Sequence, residues 1–159
     1  MNKQLSSLFL LLLIVLPLQA IELNVRDLGA KGDGKHLDHV AINQAIDSCV
    51  AQGGGRVVVP SGRYLCGSIR LKSHVELHLE AGATIVAAPA SMKAYDESEP
   101  FEGPEYQDGG HTYFHNSLIW ADGQTNIAIT GQGMIDGEGL TRKDTERSGQ
   151  VQGGSIGTG

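Results

Sequence analysis

Cysteine is nearly absent: only Cys49 and Cys66 occur in 159 residues. Two thiols cannot make a disulfide framework, so a packed core must hold the fold. A bridge between them stays open, with burial as small apolar side chains the more economical use. Basic charge is also short, with 12 Lys and Arg against 18 Asp and Glu and a net charge of −6. That excludes a basic nucleic-acid binder, because little is present to neutralise phosphates. Aromatic residues make up only 5%. The sole long apolar run, Leu5 to Leu18, falls several residues short of a membrane span. Apolar content of 40% excludes a disordered chain.

What is plentiful is glycine, 22 residues, about twice the usual ~7%. The short apolar run follows Lys3 and ends at Leu18-Gln19-Ala20. This order reads as a secretory signal peptide over residues 1–20, which predicts a secreted or periplasmic protein with no membrane contact after cleavage. No Cys follows the run to take a lipid. The mature part, 21–159, reads as one domain cut short, because Gly153 to Gly159 neither caps a helix nor closes a sheet.

One helix is expected, over residues 39–51. Ala41, Ile42, Ala45, Ile46 and Cys49 form an apolar stripe, Asp38 can serve as N-cap, and Gly53-Gly54-Gly55 ends it. Elsewhere the period is two: Val57 and Val59; Val75, Leu77 and Leu79 against Glu76, His78 and Glu80; Ile127 and Ile129. These strands repeat. An offset of 20 superimposes Val57 to Leu65 on Leu77 to Ile85. A further offset of 50 carries Leu77, Leu79 and Ile85 onto Ile127, Ile129 and Ile135, and Ile69 onto Ile119. A polar segment of 28 residues, 88–115, lies between, so the unit is about 20 to 22 residues with one long insertion. Such a unit cannot bury its apolar side alone, and stacking buries it. The expected fold is all-β, a parallel β-helix with its first coil capped by the helix. No Asp-Gly pair joins two strands at hairpin spacing, which argues against a β-sandwich.

The stretch Asn24 to Gly34, then Asp38, Ala41-Ile42, Ala45-Ile46 and Gly53 to Gly62, resembles the opening of pectin-degrading β-helix proteins. Leu71 to Thr84, Asn116-Ser117-Leu118-Ile119-Trp120, Asn126 to Gly131 and Ile135-Asp136-Gly137 resemble the polygalacturonases of glycoside hydrolase family 28. The resemblance implies a right-handed, pectin-lyase-like β-helix, hydrolysis of galacturonan or a related pectic polysaccharide, and an acidic plant-type polysaccharide as partner. It implies no cofactor. That family's Asn-Thr-Asp, Asp-Asp, Gly-His-Gly and Arg-Ile-Lys motifs have no match here: no two Asp are adjacent, Gly110-His111-Thr112 lacks the second Gly, and Arg70-Leu71-Lys72 stands too early. No catalytic residue is assigned, and the chain alone is expected to be inactive. A pectate-lyase or epimerase-like enzyme, the lyase commonly using Ca²⁺, and a non-catalytic polysaccharide binder remain alternatives on the same scaffold.

Candidate substrate contacts are His111, Tyr113, Phe114 and His115, on a long segment expected to lean over a groove. Tyr113 and Phe114 could stack on a sugar, although pinning the loop to the wall is the simpler use. His111 and His115 have metal-ligand spacing with a third ligand from Asp96, Glu97 or Glu99, but Gly109-Gly110 argues against the helix this needs, and no metal site is assigned. Gly131-Gln132-Gly133 lacks the third glycine of a dinucleotide fingerprint. Asp136 reads as a turn former before Gly137.

Overall fold

A computed structural model of the chain describes residues 21–97 and 115–137; residues 1–20 lie outside it. The elements run β1 (Ile21–Asn24), a 3₁₀ turn (Val25–Leu28), β2 (Asp33–Leu37), α1 (His39–Ala51), β3 (Gly55–Val59), β4 (Gly62–Cys66), β5 (Ile69–Arg70), β6 (Val75–Leu79), β7 (Ala83–Ala87), a second 3₁₀ turn (Ala90–Met92), β8 (Ile119–Trp120), β9 (Ala128–Gly131) and β10 (Met134–Asp136). They form three sheets, β1-β3-β6-β9, β10-β7-β4-β2 and β5-β8. All described pairs are parallel. The chain visits the three sheets in turn, as successive coils of a right-handed parallel β-helix. Among the described residues no helix is long and apolar enough to cross a membrane.

Alternation sets which side is inside. Val57, Val59, Leu77 and Leu79 fill the core, while Arg56, Glu76 and His78 face out. The expected offset of 20 holds in the first sheet, where Val57 pairs with Leu77. It slips to 21 in the second, where Tyr64 pairs with Ile85 and Leu65 with Val86. The turn 80–82 is one residue longer than 60–61, and a slip of one exchanges the two faces of a strand. Tyr64 is therefore the fully buried member and Leu65 is half-buried.

The offset of 50 holds for Ile69 with Ile119 and for Ile85 with Ile135. It fails between β6 and β9, where Leu77 pairs with Ile129 and Leu79 with Gly131. From Trp120 to Ala128 the chain takes two residues more than from Arg70 to Glu76, and from Gly131 to Met134 two fewer than from Leu79 to Thr84. Gly131 makes the shorter turn possible: its φ is +100°, and a Cβ there would meet the Leu79 carbonyl oxygen at 1.9 Å. Ile127 thus precedes β9 and does not stack on Leu77. Ile127 is 37% exposed and does not join the core as expected, whereas Ile129 stands over Leu77 on the inward face of the last described coil and is 44% exposed there.

Helix α1 spans the expected residues. Ile42, Ile46 and Cys49 are fully buried against the first coil, each isoleucine contributing about 1.5–3 kcal/mol of transfer free energy. Asp38 stands at the N-cap position, but its side chain makes no cap bond. Its carboxylate turns back and accepts from the Lys31 and Gly32 amides at 2.6 and 2.9 Å, tying the opening loop to the helix. Cys49 and Cys66 are buried, unbridged thiols, and burial pushes both above their ordinary pKa.

Candidate functional site

Both described ends of the long insertion converge on the third sheet. Ser68, 2% exposed, organises them. Its hydroxyl donates to the Ser117 carbonyl at 2.8 Å and accepts from the Asp96 amide at 3.0 Å. Arg70 donates from Nε to Asp96 Oδ2 at 2.8 Å and from its terminal nitrogen to Oδ1. Trp120 Nε1 donates to the same carboxylate at 2.9 Å. The Arg70 bonds, then the Trp120 bond, hold the Asp96 carboxyl below the usual range. From the other side, Asn43 of α1 bridges the Ser68 carbonyl and the Arg70 amide, each at 2.9 Å.

Of the residues expected to touch substrate, His111, Tyr113 and Phe114 lie outside the described residues. His115 is described, and its ring stacks on Trp120 with centroids 4.0 Å apart and planes inclined by 27°. Asp96, considered above as a third metal ligand with the two histidines, is instead committed to Arg70 and Trp120. No group of three or more His, Cys, Asp or Glu that could hold a metal ion occurs among the described residues. Asp136 lies in β10 beside Val86, in the strand rather than in the turn the sequence suggested, and Asp122 lies in the turn before β9. These carboxylates stand on different parts of the coil.

A second polar array crosses the outer face of the first sheet. Arg56 Nε donates to Glu76 at 3.0 Å, and its Nη1 lies 3.6 Å from Glu22. Thr130 donates to the other Glu76 oxygen at 2.5 Å, and His78 Nδ1 lies 2.7 Å from the Thr130 hydroxyl. The Thr130 bond, then the Arg56 bond, lower the Glu76 pKa, and Glu76 raises that of Arg56. Beside this array opens a groove of about 560 Å³ between the end of α1 and the edge of the sheet. The sequence reading passed over these residues. The register was the available signal, since an offset of 20 puts Arg56 beside Glu76 and an offset of 52 puts Thr130 beside His78.

Three parallel sheets and a helix-capped first coil, with polar residues laddered on the outer faces, define the opening coils of a right-handed parallel β-helix. The family described as rhamnogalacturonase A/epimerase, pectate lyase-like, matches residues 23–155, and the chain belongs to it. It is 34% identical to an exo-poly-alpha-D-galacturonosidase of Dickeya chrysanthemi over 125 residues, which are 76% of this chain and 20% of that protein. Among solved structures, a hyperthermoactive exopolygalacturonase of Thermotoga maritima matches with a TM-score of 0.61 and 38% identity, over 76% of this chain and 26% of that one. A family 28 exopolygalacturonase of Yersinia enterocolitica matches with a TM-score of 0.57 and 36% identity, over 75% and 21%. The chain therefore spans about a fifth to a quarter of the length of these relatives.

Proposed function

We propose that the chain supplies the opening coils of an exported glycoside hydrolase that cleaves galacturonan or a related pectic polysaccharide. The observation that carries this reading is the similarity, over three quarters of the chain, to proteins named as galacturonan-cleaving enzymes. In this reading residues 1–20 direct export, and the protein acts outside the cytoplasm. Hydrolysis proceeds with inversion, one carboxyl group activating water and another protonating the leaving oxygen across a gap wide enough for that water. Two of the described carboxylates are committed to other partners. Asp96 is locked to Arg70 and Trp120, and Glu76 to Arg56 and Thr130. In this reading the reacting groups belong to further coils, and the 159-residue chain by itself is inactive.

The test is release of reducing ends from polygalacturonate. Two proteins are compared: the 159-residue chain, and the chain extended by whatever follows it in its reading frame. Activity only in the extended protein supports the reading. Activity in the 159-residue chain, abolished by changing one of its carboxylates, overturns the assignment of chemistry to further coils. A fully active cytoplasmic form that never leaves the cell overturns the export step.

A further inference from the structure

The groove beside the first sheet is not used by the reading above, and its lining is unusual. His74 and Asn126 occupy equivalent places in successive coils, each just ahead of the first sheet, and both have positive φ, +63° and +53°. One coil earlier the place belongs to Gly54, at φ +109°, where a Cβ would meet the His74 carbonyl oxygen at 2.5 Å. Left-handed backbone favours glycine, and a residue with a Cβ held there is a reason to look for function. Here it sets an imidazole and an amide on the rim of a groove. Asn126 Nδ2 lies 3.2 Å from His74 Nδ1. With the amide donating, Nδ1 is the acceptor and Nε2 carries the hydrogen.

The rest of the lining completes a set of donors and acceptors. Arg56 offers guanidinium N–H groups beyond the one given to Glu76, and Glu22, with its side chain 62% exposed, offers carboxylate oxygens. Ile21, partly buried, and Ala128, exposed, supply a little apolar surface. Donors and acceptors set together beside this small apolar surface suit vicinal hydroxyls, each of which both donates and accepts. The charge balance selects among sugars. Glu22 and Glu76 place two carboxylates in the groove against the single guanidinium of Arg56. A further carboxylate on the ligand would meet net repulsion at close range. A groove of about 560 Å³ falls within the ~300–1,000 Å³ of small-ligand sites.

We propose that this groove is a binding subsite for an uncharged sugar unit, such as a neutral branch or end residue of the polysaccharide, and not for the uronate backbone. The proposal rests on the polysaccharide reading above. Arg56, His74 and Asn126 donate to hydroxyls, Glu22 accepts from them, and Glu76 holds Arg56 in place.

The test titrates the isotopically labelled chain with galactobiose and, separately, with digalacturonate. Nuclear magnetic resonance follows the Arg56 Nε–H and the His74 and Asn126 side chains. Saturable shifts at these groups, with galactobiose at least tenfold tighter, are expected. Glu22→Gln removes one negative charge from an exposed position and should narrow that preference below threefold by strengthening uronate binding. His74→Gly removes the imidazole while giving the backbone the residue its φ favours. It should keep or raise the melting temperature and weaken galactobiose binding at least tenfold. Absence of saturable galactobiose shifts, equal or tighter uronate binding by the wild type, or unchanged binding in His74→Gly would each overturn the proposal. These local shifts do not depend on catalysis, so failure of the extended protein to cleave polygalacturonate would count against the proposed function alone.

Discussion

Arg70 and Asp96, 26 residues apart in sequence, form a two-bond ion pair that Trp120 caps from a third segment. One carboxylate thereby joins β5, the outgoing end of the insertion and β8. Asp96→Asn keeps the shape and removes the charge, which should cost about 1–3 kcal/mol at neutral pH. The Arg70 bonds hold the folded-state pKa of Asp96 below the ordinary 3.8 of an aspartate. Its contribution is therefore present above that value and lost as the pH falls through the lowered folded value. Urea midpoints of the two proteins should differ at pH 7 and converge in strong acid. A difference that persists unchanged in acid would show that the charge is not what matters.

The cap on the first coil gives a second prediction. Ile42 is fully buried between α1 and the coil it covers. Ile42→Ala should lower stability by about 2–5 kcal/mol, while Val40→Ala, at a position 55% exposed, should change it by less than about 0.5 kcal/mol. Equal urea midpoints for the two variants would remove the helix from its capping role.

Thr130 donates to Glu76 across two coils. Thr130→Val deletes that donor, so the Glu76 pKa should rise toward the ordinary 4.5 of a glutamate. Carboxyl-carbon chemical shifts against pH give the reading directly. An unmoved titration would mean that Arg56 alone sets the Glu76 charge.

Cys49 and Cys66 are buried and unbridged, with both thiols harder to ionise than usual. An aromatic disulfide reagent should react slowly with the native chain and should titrate two thiols after denaturation. Fewer than two in the unfolded chain would reveal a disulfide.

How far the sequence could be read depended on parity. Val57 over Leu77 was legible because an even offset of 20 keeps inward residues inward. Tyr64 was missed as the core residue because one extra residue in the turn 80–82 reverses inside and outside, and turn lengths leave no apolar pattern behind. Ile127 was misplaced for a related reason: a longer turn before β9 and a shorter one after it cancel, so Ile85 and Ile135 still align and hide the shift between them. Asp38 was placed correctly at the helix start, but the partner of its carboxylate lies in a loop that no local rule connects to it. The candidate site was less legible. Of the aromatic and histidine candidates on the insertion, only His115 lies among the described residues, stacked on Trp120. The Arg56–Glu76 array and the His74–Asn126 pair arise only when coils stack, and each residue alone looks like ordinary surface.

The most direct test of the central claim is product analysis with polygalacturonate, using the chain extended through its reading frame. The account predicts saturated reducing ends with inverted anomeric configuration in the first products seen by proton magnetic resonance. Unsaturated, ultraviolet-absorbing ends would identify a lyase, and tight binding with no new ends a non-catalytic binder. Either result would contradict the account.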